Sequence, residues 1–216
     1  MNSMRLTSDD FTQMDSRYRA TLANSLTGYK SANLVGTCND AGVDNLAIMS
    51  SAVHLGSHPP LLAIVIRPDT AERHTLKNIL HCGFFTLNHV SEPMIEQAHQ
   101  TAARYSGDTS EFAATGLSVQ REQGFPAPFV EESTIKLGLK FREHQTLSIN
   151  DTNLVIAEIV IALLPEDCIA DDGALNLNQA GTVTISGLDT YHRPQPLKRM
   201  SYAKPNLPPR NIAKYE

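Results

Sequence analysis

The sequence predicts a mainly β protein, an antiparallel barrel with helices attached at its edges. Three observations carry this. Segments of strand period are joined mostly by short runs of turn formers, as in hairpins. The cleanest alternation, "IKLGLKF" at 135–141, is followed by the turn "NDTN" (150–153) and a long apolar partner, "LVIAEIVIALL" at 154–164. The strict strand–helix alternation of a doubly wound sheet is missing.

Each element follows from local chemistry. Residues 8–26 read as a helix: Ser8 caps it, Asp9 and Asp10 sit at the positive end of its dipole, and Tyr18, Leu22 and Leu26 form one stripe before Gly28. "ANLVGTCN" (32–39) and "NLAIMSS" (45–51) are strands around the turn "NDAGVDN", a natural hairpin. "PLLAIVI" (60–66) is apolar throughout, as for a strand buried on both faces. "HTLKNILHCG" (74–83) is a short helix ended by Gly83, and "FFTLNHV" (84–90) returns to strand.

Residues 91–107 read as a second helix with Pro93 in its first turn. Residues 108–133 read as irregular. In the strand at 135–141, Ile135, Leu137, Leu139 and Phe141 point one way and Lys136 and Lys140 the other. The sum is six or seven strands. The tail from Arg193 holds five of the twelve prolines and reads as an extended surface segment packed on the barrel or on a partner subunit, so the chain divides into a barrel with its N-terminal helix (1–192) and a Pro-rich extension (193–216).

Composition narrows the function. At 216 residues the chain can bury one sizeable core. A net charge of -5 argues against a nucleic-acid or acidic-membrane partner held mainly by charge. No apolar run is long enough to span a bilayer, and the N-terminus has no apolar signal-like stretch. Three widely spaced cysteines, Cys38, Cys82 and Cys168, suggest reduced thiols and a cytoplasmic home. The glycine motifs of dinucleotide and phosphate loops are absent, as is a G-x-S-x-G elbow. His54 and His58 have helical metal-ligand spacing, but Gly56 and Pro59-Pro60 argue against a helix, so no metal is expected.

What remains is the stretch from Asp44 to Ile79. "RPDTAERHTLKNI" offers what a phosphate monoester needs: Arg67 and Arg73 as cations, His74 as a donor, and Thr75 where a helix begins. The same residues would also serve to cap and solvate a helix. "SSAVHLGSHPP" mixes backbone-accessible small residues with apolar ones, which suits a flat ligand with a polar edge, and equally suits a loop between strands.

The ordered set resembles the flavin reductase-like, FMN-binding split-barrel family, closest to its flavoredoxin-like branch. The residues that carry this are Gly42, Asn45, Ala47, Ser50-Ser51, Pro59-Pro60, Thr75, Asn78, Ile79, Gly83, Phe85 and Asn88. Later pieces at 127–141, 154–164, 171–177 and 185–192 extend it to residues 20–192.

The resemblance implies a six-stranded antiparallel Greek-key split β-barrel with peripheral helices, a homodimer, and FMN at the subunit interface. By position, Ser50, Ser51, Ala52 and His54 would line the flavin ring and ribityl chain. Arg67, Arg73, His74 and Thr75 would hold the ribityl chain and phosphate, with Asn45 also among the cofactor-binding positions. Tyr191 and His192 would approach from the partner or the C-terminal edge. No protein nucleophile is expected, because the chemistry sits on flavin N5. One departure is Gly138, where family members often carry Glu.

The implied function is a flavoprotein oxidoreductase moving electrons from NADH or NADPH through FMN to flavin or another acceptor, with an oxygenase partner left open. The alternatives are an FMN-binding electron carrier without nicotinamide activity, and a barrel that has lost flavin and serves as an interaction module.

Overall fold

A computed structural model describes residues 3–68 and 74–212. The helices are α1 (Ser8–Gln13), α2 (Ser16–Ser25), α3 (His74–Cys82), α4 (Ile95–Gln100) and α5 (Glu111–Thr115). The strands are β1 (Lys30–Ser31), β2 (Asn33–Cys38), β3 (Asp44–Met49), β4 (Ala52–Ser57), β5 (Pro60–Ile66), β6 (Phe84–His89), β7 (Val119–Gln120), β8 (Phe129–Val130), β9 (Lys136–Leu147), β10 (Thr152–Leu163), β11 (Thr184–Ser186), β12 (Thr190–His192), β13 (Arg199–Met200) and β14 (Asn211–Ile212).

The main sheet is antiparallel in the order β3-β2-β6-β9-β10-β5-β4. Its two edge strands, β3 and β4, are consecutive in sequence and joined by Ser50 and Ser51 alone. The edges of a flat seven-stranded sheet would stand about 29 Å apart at ~4.8 Å per strand. Two residues between Met49 and Ala52 reach at most ~11 Å. The sheet must therefore curl until its edges meet, which makes a barrel. Counted as one strand bent at Ser50–Ser51, β3 and β4 reduce the seven strands to the six expected. Chain flow from β5 through α3 to β6 skips two strands, as a Greek key requires.

Inside the barrel, Val35, Ile64, Phe85, Leu87, Leu139, Val155 and Ala157 pack with Leu76 and Ile79 of α3, which plugs one end. A second core lies outside β2 and β3, where Leu34 and Leu46 meet Val90, Met94, Ala98, Phe112 and Ile185. The free edge of β3 is closed by side chains. Glu111 Oε2 accepts the Leu46 N–H at 2.8 Å, Thr101 Oγ1 accepts the Ile48 N–H at 2.9 Å, and Arg121 grips Asp44 at 2.6 and 2.8 Å. Such bonds satisfy donors that an open edge would offer to another chain.

The loop before β9 is keyed into the sheet. Thr86 Oγ1 donates to Pro128 O at 2.6 Å, while Asn88 donates to Leu34 O and accepts from Val130 N–H. Gly36 makes room for this: a Cβ there would stand 2.3 Å from Pro128 O and 2.5 Å from Thr86 Oγ1. Gly138 serves the same end. A Cβ at 138 would lie 3.0 Å from Ile161 Cβ and 3.1 Å from the Phe125 ring, so the phenyl group takes the space a Glu would need.

Several elements differ from the sequence expectation. The helix expected at 8–26 is two helices, because Asp15 accepts from the N–H groups of Arg17 and Tyr18 and starts a new one. Thr7, not Ser8, caps the first, in a capping box with Asp10. The helix expected at 91–107 ends at Gln100, and 111–115, expected to be irregular, is helical. Residues 52–57, expected as loop, form β4, and the tail carries a small hairpin, β13–β14.

Replacing Gly36 with Ala should lower unfolding free energy by ~2–3 kcal/mol through this overpacking, read as a shifted urea midpoint with an unchanged slope. His89 is half-buried beside Thr182, and its desolvation pushes its pKa down to about 4. The unfolded chain takes up that proton near ~6.5, so stability should fall as pH drops from about 6.5 to about 4. His89→Gln should remove part of that slope, by up to ~3 kcal/mol across the window, in urea midpoints compared at pH 7 and pH 4.5.

Candidate functional site

Apart from Tyr191 and His192, the expected site residues that the structure describes fall into two groups at opposite ends of β3, separated by about five residues at ~3.3 Å each, or roughly 16 Å.

The first group surrounds the Ser50–Ser51 crossing. Ser51 Oγ donates to Val65 O at 2.7 Å and accepts the Val65 N–H at 3.3 Å, so a side chain continues the β4–β5 ladder where the backbone turns away. Ser50 is half-buried, Ala52 packs against the barrel core, and His54 is exposed on β4. Arg67, just past β5, is exposed and makes no hydrogen bond or ion pair among the described residues.

A cation the sequence did not single out lies close by. Lys30 Nζ donates to Asn24 O at 3.1 Å and Gly187 O at 2.9 Å, tying α2 to the β11–β12 turn. Partial burial, and secondarily the positive charge of Arg67, lower the Lys30 pKa. No local pattern marks Lys30; the ladder places it, because Asn33 pairs with Met49 just before Ser50.

The second group sits under α3. Asn45 Nδ2 donates to Thr75 Oγ1 at 3.1 Å and Thr37 Oγ1 at 3.2 Å, and Asn78 Nδ2 donates to the same Thr37 oxygen at 3.1 Å. All four side chains are buried. This amends the expected roles of Asn45 and Thr75. Their side chains fasten the start of α3 to β2 and β3 and are not turned out toward a ligand. His74 opens α3; its Nε2 is buried without a partner among the described residues, and a Cβ on Gly107 would lie 3.0 Å from it. Arg73 lies outside the described residues.

Tyr191 and His192 stand on β12, in a separate small sheet ordered β1-β11-β12. Tyr191 Oη lies 3.0 Å from His99 Nδ1; burial, then Asp189, pushes its pKa up to about 12. His192 Nε2 lies 2.8 Å from Ser186 Oγ, with the Tyr29 ring edge-on at 4.8 Å. The small sheet reaches the crossing through β1: Ser31 pairs with Thr184, which pairs with His192, and Asn33 Nδ2 donates to Ser31 Oγ at 2.8 Å.

A barrel whose edges meet at a Ser-Ser crossing, flanked by two cations and plugged by a Thr-x-x-Asn helix, matches a known domain. The family model described as flavin reductase like domain matches residues 26–185. The chain belongs to the flavin reductase-like family. A split-barrel protein of Shewanella frigidimarina assigned as a flavin reductase superimposes with a TM-score of 0.90 and 46% identity, over 93% of this chain and 100% of that one. The flavoredoxin of Desulfovibrio vulgaris shares the fold, with a TM-score of 0.67 and 24% identity over 83% of this chain and 92% of that one. An uncharacterised protein of Aquifex aeolicus is 27% identical over 146 residues, covering 67% of this chain and 72% of its own. Family membership makes this a flavin-related oxidoreductase. No helix among the described residues is long and apolar enough to cross a membrane.

Thr37→Val should strip the shared acceptor from two buried amides and cost ~2 kcal/mol of stability, seen as a lower thermal midpoint. Thr37→Ser, which keeps the oxygen, should recover most of it.

Proposed function

We propose that the protein binds FMN at the Ser50–Ser51 crossing and passes electrons from NADH or NADPH through it to a flavin or another acceptor. The observation that carries the cofactor reading is the cation pair. Lys30 and Arg67 flank one strand crossing, and neither is ion-paired with a carboxylate among the described residues. Two positive charges near enough to disfavour one another suit a dianionic phosphate. The residues present fit the group: Arg67 makes no ion pair among the described residues, Ser50 and Ser51 offer backbone groups at the strand bend, and Ala52 and His54 continue along β4.

Bound FMN would supply hydride acceptance at its N5 and onward electron transfer. The chain's part is to hold the phosphate with Arg67 and Lys30. The start of β4 fixes the backbone against the pyrimidine edge. Asn45, Thr75 and Asn78 act indirectly, by locking the plug helix that shapes the barrel end. The fold has no dinucleotide domain, so a nicotinamide would stack on the flavin itself. We further propose a homodimer, supported by exposed apolar side chains on the outer barrel face, and a cytoplasmic location, supported by three unpaired thiols.

FMN-loaded protein should be yellow, with a band near ~450 nm, and should bleach anaerobically with NADH or NADPH. A yellow protein that neither nucleotide bleaches would instead be an electron carrier. Arg67→Ala should weaken FMN at least about tenfold, as for a lost charge-assisted bond of ~1.5–3 kcal/mol, in titrations followed by flavin fluorescence. Unchanged affinity would reject the phosphate assignment.

A further inference from the structure

We propose that the C-terminal arm, residues 197–212, docks on the outer face of β4, β5 and β10 of a second copy of this chain. This rests on the homodimer proposed above and assigns the surfaces that meet in it.

Charge is divided unevenly along the chain. Residues 193–216 carry six of the eighteen lysines and arginines and one of the twenty-three acids, a net +5, so residues 1–192 carry -10. A basic segment on an acidic body is self-complementary. The same imbalance argues against an anionic lipid surface or nucleic acid as occupant, since the arm would draw a body of -10 toward it.

The arm is apolar as well as basic, and its own barrel leaves it bare. Leu197 is 88% exposed and Tyr202 90%, with Met200, Leu207 and Ile212 also open to solvent. Arg199 anchors the base of the arm to Asp172. Beyond that point the hydrogen bonds of residues 201–212 among the described residues stay within the arm: Ser201 N–H to Arg210 O, Arg210 N–H to Ser201 Oγ, and Leu207 N–H to Lys204 O.

A matching surface exists on the barrel. The ladder places Val53, Ala63, Ile156 and Glu143 in one row across four strands, in which Ala63 is covered and Val53 and Glu143 are exposed. Val53 is 51% exposed and Leu55 48%, with Val65 and Val160 also open. Glu143 supplies an exposed acid beside this apolar strip; Glu158, opposite Leu61, is already paired with Arg142. Two-fold symmetry would satisfy both arms and both faces at once.

The test uses the full-length, flavin-free chain, so that a failure of the FMN reading does not enter. Light scattering and sedimentation give the dimer dissociation constant for wild type, for K198E/K204E/R210E, for L55D, and for the combination. The altered side chains are exposed, and circular dichroism checks folding. Each variant set should weaken the dimer at least tenfold at low salt, and the combination should cost much less than the product of the two, because they remove one contact. A dimer indifferent to the arm substitutions overturns the arm assignment and leaves the homodimer standing. Independent, multiplying losses would show that arm and face do not touch, and a 23.7 kDa monomer would overturn both.

Discussion

The fold depends on one covalent constraint: two residues, Ser50 and Ser51, join the two edges of a seven-stranded sheet. Backbone hydrogen bonding along the ladder would be satisfied equally well in an open, twisted sheet. The short connection removes that option, since the edges cannot separate. Everything else at this end follows from the bend. The backbone must leave the ladder to cross, so Ser51 Oγ stands in for it against Val65. The end of β5, with Arg67, lies at this crossing, and the positive charge of Arg67 acts on Lys30 after partial burial.

The opposite end is fixed by packing and by a small polar network. Leu76 and Ile79 of α3 fill the barrel, which places Thr75 and Asn78 against Thr37 and Asn45. Buried amides and hydroxyls are costly unless paired. Their geometry specifies one seating of the plug, where apolar contact alone would accept several. The loop keyed onto Gly36 and the phenyl ring of Phe125 over Gly138 fix the outer wall in the same way, through positions where no side chain fits.

The functional reading grows from these constraints and not from a catalytic side chain. In the proposed reading a flavin brings its own reactivity, and the polypeptide would supply backbone groups at the strand crossing and a counter-charge for the phosphate. The cations gathered at the crossing and the basic arm at the C-terminus belong to different tasks. One pair is drawn together by the fold itself. The other set lies on a segment that the barrel leaves uncovered.

Much was legible in the residues alone. The strand-like runs at 32–39, 45–51, 60–66, 84–90 and 154–164 gave strands within about two residues, because a half-buried strand must alternate or be wholly apolar, while the alternation at 135–141 marked only the first half of β9, which runs on to Leu147. Gly83 ended a helix where a positive φ was needed. The ordered motifs named the family. Where sequence reasoning fell short, the deciding partner was distant in the chain. The strand at 52–57 was hidden because Val53 and Leu55 face outward and look like loop residues. Thr75 and Asn45 looked like ligand donors because each is polar, and only their meeting, thirty residues apart in sequence, shows that they satisfy one another. Lys30 carried no local signal at all. Local propensity and hydrophobic period, which act over a few residues, determined the elements and the family. Which polar groups are spent on the fold and which stay free for a ligand was decided only by closure of the barrel, since that is what brings remote side chains within hydrogen-bonding distance.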